Sequence, residues 1–376
     1  MITQFGSGGI SLIFDKSAFQ IFSRDEMHLL YKYFWINITP ILIMEILGDL
    51  AKEKKGFETD SKVAEFASKL WGFNSSVNTF YLDLIAAELQ GQAIPFYKPL
   101  VDTAQPVEMS DGQIGIRIHP SDERNALDRW QEQKFHSWEH VLSKEWRANT
   151  KAPELLITLK EKINRSNPGA RNLVGQREIL AAFDSYVELK RDSNELLQLL
   201  IEQFSITTEV AGAAFYRWET EGKKPISAFA PYSLFCLRAN YFFQTCLQNE
   251  LIGTRPTNLL DMQYVYYLPF CRVFVSNDKF HDSVVPYLMT EKQKYIKGAE
   301  LKDDLKRILL MKKQLTGSDL RRIENEPPEN PDSVMYRLWK DMLLNWLPGR
   351  NNVVTDDELR MADEMIRKMR QARPIE

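Results

Sequence analysis

The run Val273-Phe274-Val275 is apolar at every position and stops abruptly at Ser276-Asn277-Asp278. β-Branched and aromatic residues without polar alternation suit a strand buried on both faces, as in parallel sheets covered by helices. Just upstream, the stretch from Asn258 carries Asp261, reads as a short helix, and breaks at Pro269. The result is a helix-to-strand unit with a carboxylate at each end. In open α/β sheets ligands sit in the crevice beyond the carboxyl ends of the strands, so this unit constrains both the fold class and the place of any site.

The first fifty residues supply matching pieces. Ile10 to Phe14 is a second strand-length apolar run, ending at Asp15. Gly6 to Gly9 precede it, whereas a phosphate loop follows its strand and ends in Gly-Lys-Ser/Thr, so no nucleotide site is expected there. Asp15 to Phe19 reads as a strand end turning into a helix, roughly Ser23 to Phe34. Trp35 to Ile38 is a third strand. Thr39-Pro40 is a strong helix start, Thr as N-cap and Pro at the first helical position. The helix from Ile41 to Lys54 places Glu45 and Asp49 four residues apart, on one face.

A chain of 376 residues has room for two or three structural units, or one large unit with an insertion. A net charge of −3 exerts no global pull on nucleic acid or an anionic membrane, so such binding must come from local patches. Cys236, Cys246 and Cys271 lie in apolar surroundings without CxxC spacing, the pattern of buried free thiols in a reducing compartment. The first residues lack a signal peptide's basic start and apolar run, and Tyr33 to Met44 is too short and too interrupted to span a bilayer. The expectation is a cytoplasmic protein with no membrane partner.

Between residues 55 and 229 the pattern is mostly helical: two helices over Lys62 to Gln90, one over Ala126 to Arg147, then Pro153 to Ile163, Arg177 to Phe204 and Thr208 to Thr220. Asp111-Gly112 within alternating residues reads as a hairpin turn. Tyr232 to Glu250 is an apolar helix suited to packing under a sheet. Past Asp278, Glu291 to Lys313 holds eight Lys or Arg against four acids. Glu326 to Asp332 is a Pro-rich linker, and two helices, Ser333 to Leu347 and Asp356 to Arg373, close the chain.

Four acids therefore share one pattern. Asp15 and Asp278 follow the two best strands, Glu45 lies in the helix after the next strand, and Asp261 opens the helix before the last. In a parallel sheet these positions converge on one edge. Crowded carboxylates are costly unless cations neutralise them, and hard oxygen ligands suit Mg²⁺ or Mn²⁺. Such ions lower the pKa of a coordinated water and stabilise charge developing on a phosphate.

Phe14-Asp15-Lys16-Ser17, Thr39-Pro40 through Glu45, Asp261, and Val275-Ser276-Asn277-Asp278-Lys279 resemble, in order, the four acidic motifs of PIN-domain nucleases. The resemblance covers about 1–54 and 230–290. It implies a Rossmann-like α/β/α sandwich with a mainly parallel sheet, whose core is split into 1–54 and 230–290 by a helical insertion over 55–229 and followed by a helical C-terminal extension over 291–376. It also implies metal-dependent hydrolysis of phosphodiester bonds, in RNA more than DNA, leaving 5′-phosphate and 3′-hydroxyl ends. By that resemblance Asp15, Glu45, Asp261 and Asp278 are the catalytic and metal-holding acids, and Ser17, Ser276 and Asn277 orient them.

Around this set stand weaker candidates. Asp49 is a supporting acid or a solvated helix residue. Lys16 stands where the family commonly has Thr or Ser, and with Lys279 and Arg238 it is a candidate phosphate contact; Arg255 and Arg272 also flank the last motif. The helical insertion is the expected surface for a protein partner, and a non-catalytic PIN-like binding module is the second reading. His136-Ser137-Trp138-Glu139-His140 fits the H-x-x-E-H zinc-protease pattern on an expected helix, a third reading that lacks an identified third ligand, amid Trp130, Phe135, Trp138 and Trp146.

Overall fold

Leu12, Ile13 and Phe14 are all buried, as are Ile36 to Ile38 and Val273 to Ser276, so the apolar runs form the floor of the molecule rather than its surface. The computed structural model describes residues 3–4, 9–52, 58–70, 74–96, 100–101, 104–108, 114–118, 121–151, 154–166, 173, 175–191, 193–317, 319–320, 323, 326–343 and 373–374. Its strands, in chain order, are β1 (Thr3–Gln4), β2 (Ser11–Phe14), β3 (Trp35–Ile38), β4 (Ser75–Val77), β5 (Leu100–Val101), β6 (Ala104–Glu108), β7 (Ile114–Ile118), β8 (Val273–Ser276), β9 (Lys294–Lys297) and β10 (Arg373–Pro374). Five of them form one parallel sheet in the order β4-β3-β2-β8-β9, with Leu12 opposite Ile36 on one side and Val273 on the other. The fold is therefore α/β with a parallel five-stranded sheet.

The sheet order carries the main consequence for function. The chain starts in the middle at β2, winds outward through β3 to β4, then returns to the other side of β2 as β8 and continues to β9. Winding direction thus reverses between β2 and β8. That reversal leaves a crevice at the carboxyl ends of the two strands, the usual ligand position in doubly wound sheets.

Local sequence explains the crossovers. Ser23 and Glu26 form a reciprocal capping box at the start of Arg24–Tyr33, which links β2 to β3. Thr39 caps Pro40–Leu47, with Pro40 in the first turn, and a 3₁₀ turn, Gly48–Ala51, ends that segment earlier than the expected Lys54. After β8, Asp278 caps Lys279–Leu288, which leads to β9. Gly298–Lys312 then packs on Arg24–Tyr33 and receives Val334–Met342 on its outer side. Among the described residues no helix is long and apolar enough to cross a membrane.

Several elements differ from the sequence expectations. Ser75–Val77 is a strand of the central sheet, so the sheet extends past residue 54; Lys294–Lys297 is its other edge, beyond residue 290. The helix expected over Ala126 to Arg147 is two, Asp122–Gln131 and Ser137–Lys151, because Gln133 adopts φ 57° between them. Arg177 to Phe204 likewise splits into Gln176–Leu189 and Glu195–Gln203. Pro231–Gln248 is the expected apolar helix, and it packs against Gln176–Leu189 and Glu154–Ser166. β6 and β7 pair antiparallel as the hairpin reading requires; the Asp111-Gly112 turn lies outside the described residues, as does the helix expected over Asp356 to Arg373 except for Arg373, which is in strand β10.

Candidate acidic site at the sheet's switch point

Asp15 is the first residue beyond β2 and is almost fully buried. Its carboxylate accepts from the Ala18 N–H at 2.9 Å, from Ser17 Oγ at 2.8 and 2.9 Å, from Ser276 Oγ at 2.7 Å and from His281 Nδ1 at 3.2 Å. Burial alone would raise its pKa, but the His281 hydrogen bond and charge, with the Ala18 and Ser276 donors, hold it below the ordinary value. Asp15 is thus an ionised anchor whose lone pairs are already met by the chain.

His281 is the residue that sequence reasoning missed. It is fully buried, three residues past the cap Asp278, so one helical turn returns its ring to the strand end. Nδ1 lies 2.9 Å from Ser276 Oγ as well as near Asp15, and Nε2 lies 2.8 Å from the Asp261 carbonyl oxygen. Desolvation would lower its pKa, yet Asp15 and Asp261 raise it to about 9. An imidazolium donating from both nitrogens satisfies every contact. The signal was available in the i, i+3 spacing from Asp278, but a lone His in an apolar helix ordinarily reads as core.

The remaining acids meet through mediators. Tyr264, in the helix Asn258–Val265, donates its phenolic hydrogen to Glu45 Oε2. Desolvation pushes the Glu45 carboxyl up to about 7 against the pull of Lys16 and Tyr264, and the charges of Asp261 and Asp15 add to the rise. Asp261 is raised to about 6, first by desolvation and then by Asp278, against the pull of His281 and Arg255. Arg255 Nη2 donates to Asp261 Oδ2 at 2.8 Å and to Asp278 Oδ2 at 2.7 Å, so these two oxygens share one nitrogen. Asp278 also accepts from the Phe280 N–H at 2.8 Å. Among the described residues no hydrogen bond reaches Glu45 Oε1 or Asp261 Oδ1.

All four acids therefore stand at one edge and act on one another electrostatically, from four separate elements. No family model, curated protein or solved structure matches the chain. The site must be judged on its own chemistry. Its oxygens are hard donors of the kind divalent cations prefer, and burial, with the neighbouring carboxylates adding to it, raises Glu45 and Asp261. Glu45 and Asp261 each offer an open oxygen, Asp278 offers one shared with Arg255, and Asp15 offers one only by giving up a present donor. Among the described residues no group of three or more His, Cys, Asp or Glu side chains is already arranged to hold a metal ion.

The supporting residues divide. Ser17 and Ser276 do orient Asp15, and Ser276 Oγ also accepts from the Asp278 N–H at 2.9 Å. Asn277 does two things: its N–H donates to Ser17 Oγ at 2.9 Å and its Nδ2 to the Ser17 carbonyl at 3.3 Å, while its Oδ1 accepts from the Ala299 N–H at 3.0 Å and caps Gly298–Lys312, which Lys297 leaves without a side-chain cap. Lys16 does not face a substrate, because its ammonium donates to the Glu45 carbonyl at 2.6 Å and pairs with Asp49 at 2.9 Å. Asp49 is buried and shared with Lys52 at 3.1 Å, a structural ion cluster. Arg238, in Pro231–Gln248, forms a two-pronged pair with Asp184 of the neighbouring helix Gln176–Leu189. Lys279 is exposed.

The H-x-x-E-H motif is a helix start. Glu139 is fully buried; its Oε1 accepts from Arg129 Nη2 at 2.9 Å and Trp130 Nε1 at 3.0 Å, and its Oε2 from the His136 N–H at 2.7 Å. His136 Nε2 accepts from Arg129 Nε at 3.1 Å. Both oxygens of Glu139 and the Nε2 of His136 are thus engaged by the chain, an arrangement that serves the helix start. Trp130 is buried and Trp146 lies against Gly48, so of that aromatic group Trp138 is the one broadly exposed.

Proposed function

We propose that the protein is a metal-dependent nuclease of the PIN-like type, an endoribonuclease whose core is interrupted by the helical segment between β4 and β8. The observation that carries this reading is the meeting of Asp15, Glu45, Asp261 and Asp278 at the β2/β8 switch point, where burial, with the neighbouring carboxylates adding to it, raises Glu45 and Asp261. Glu45, Asp261 and Asp278, with Asp15, would hold Mg²⁺ or Mn²⁺. The ion would supply Lewis acidity toward a phosphate oxygen and an acidified water.

The chain's own contribution is preorganisation. His281, Ser17 and Ser276 fix Asp15 as an ionised anchor. Tyr264 fixes one oxygen of Glu45, and the other has no hydrogen bond among the described residues. The exposed Lys279, at the start of the helix after Asp278, is available to the backbone of a polyanion.

One observation favours a second reading, a PIN-like module that binds nucleic acid or protein without cutting: Arg255 already supplies a cation to two of the acids. Incubation of the purified chain with labelled single-stranded RNA and DNA, in Mn²⁺ or in EDTA, separates the two. The nuclease reading expects Mn²⁺-dependent cleavage that Asp261→Asn abolishes. No cleavage, or equal cleavage by the variant, sinks it.

A further inference from the structure

Arg255 lies in the loop between Pro231–Gln248 and Asn258–Val265, with its side chain 55% exposed. The loop itself is held: Asn258 Nδ2 donates to the Gly253 carbonyl, and the Asn258 N–H to the Arg255 carbonyl at 2.9 Å. From this fixed base the guanidinium reaches both acids with the same nitrogen. That is not the parallel two-nitrogen fork by which arginine grips a single carboxylate most strongly. One nitrogen between two carboxylate oxygens instead occupies the position that an ion bridging them would take. It brings a single positive charge to two negative ones, and the other edge of the guanidinium makes no ion pair or hydrogen bond among the described residues.

We infer that Arg255 is an exchangeable internal counter-ion: it holds Asp261 and Asp278 together in the cation-free protein, and a divalent cation binds by taking its place on their Oδ2 oxygens. The inference rests on the metal-dependent reading and deepens it. Three features support exchange over a permanent bridge. The side chain is more than half exposed, so leaving costs little packing. A divalent ion neutralises the acid pair fully where the guanidinium does so by half. The released guanidinium, at the mouth of an anion-cleaving site, then has its whole planar edge available for a phosphodiester oxygen.

Competition for the same oxygens has a sign. Removing Arg255 must tighten cation binding, because the ion no longer displaces a partner and meets a more negative site. Calorimetric titration of the full chain with MnCl₂ should show Arg255→Gln binding at least about fivefold more tightly than the native protein, within the range usual for coupled sites. Native-protein binding with unchanged or weaker affinity in the variant overturns the inference and leaves the nuclease reading intact. Absence of Mn²⁺ binding by both proteins overturns both. Should Arg255→Gln fail to fold, the side-chain ¹⁵Nε resonance of Arg255, assigned through Arg255→Lys, gives the answer in the native chain: it should shift on saturation with MgCl₂, and an unmoved resonance overturns the exchange.

Discussion

Tyr264 donates its phenolic hydrogen to Glu45 across 219 residues of chain, joining the helix after β3 to the helix before β8. The phenol is fully buried and the carboxylate it holds is raised to about 7, so this contact fixes the geometry of the least stable charge in the site. Tyr264→Phe keeps the ring and removes the donor. Loss of a buried hydrogen bond to an acid should cost about 1–3 kcal/mol in denaturant unfolding. Under the nuclease reading, Mn²⁺-supported cleavage should fall while RNA affinity is retained; unchanged turnover would reduce Tyr264 to a packing residue.

The pH dependence of metal-free stability follows from three groups whose shifts share one direction. His281 is raised from 6.5 to about 9, so its contribution is complete below pH 6.5 and is lost as pH climbs through 9. Glu45 and Asp261 are raised to about 7 and about 6, so the folded chain binds protons that the unfolded chain has released, and stability falls as pH rises from about 4 to 7. Asp15 is shifted the other way, and its contribution is lost only in acid, as pH falls below the ordinary carboxylate range. Melting in EDTA should therefore show highest stability near pH 4 and a decline toward pH 9. A plateau or a rise across that window contradicts the charge assignments, and His281→Gln should remove the alkaline part of the decline.

Asp278 combines a cap with a site charge, and two substitutions separate the roles. Asn is as good an N-cap as Asp, so Asp278→Asn should keep the Phe280 N–H bonded and leave the metal-free melting temperature nearly unchanged, while Mn²⁺-dependent activity is lost. Asp278→Ala removes both and should cost about 1 kcal/mol. Equal destabilisation by the two would assign Asp278 to Arg255 alone.

Gly298 lets the last sheet helix close on the site's supporting layer. A Cβ there would lie 2.8 Å from Asn277 Nδ2, 2.9 Å from Ala18 Cβ and 3.1 Å from Ala18 Cα. Ala18 belongs to the turn that Asp15 caps, so the neighbour is backbone-anchored and has little room to yield. Gly298→Ala should lose roughly 1–3 kcal/mol, as overpacking does, and hydrogen exchange at Ala18 and Ala299 should accelerate. Retained protection at both amides would show that the helix shifts without strain.

Glu139→Gln tests the reassigned motif. The side chain is buried and bonded to Arg129, so the variant should lower stability by about 1–3 kcal/mol. Zinc added to the native chain should neither raise its melting temperature nor bind stoichiometrically.

The two strands that matter most were legible because burial on both faces leaves an unbroken apolar word, and because Asp15 and Asp278 end those words sharply. β4, Ser75-Ser76-Val77, carries no such signal: three residues with two serines lie below any periodicity, and only pairing with β3 makes them a strand. β9 is an edge, and its lysines at both ends let it pass as part of a basic stretch. The four acids are marked in the sequence by position: Asp15 and Asp278 directly after strands, Glu45 in the helix after β3 and Asp261 in the helix before β8. Their mediators are not, since Tyr264, Arg255 and His281 become functional only through contacts 219, 23 and 266 residues away in sequence. Lys16 shows the reverse, a polar residue beside the site that serves the Glu45 carbonyl and Asp49.

The site's two halves lie at distant points of the chain, with Glu45 and Asp278 on either side of the long helical segment between β4 and β8. At ordinary rates of synthesis the interval between their appearance is roughly ten to fifty seconds. During that time β2 and β3 are made, but β8, His281 and Arg255 are still to come. A ribosome-bound chain of this protein is thus without its acidic site until Asp278 has been translated, and a truncated product that ends inside the helical segment carries Asp15 and Glu45 without Arg255, Asp261, Asp278 and His281.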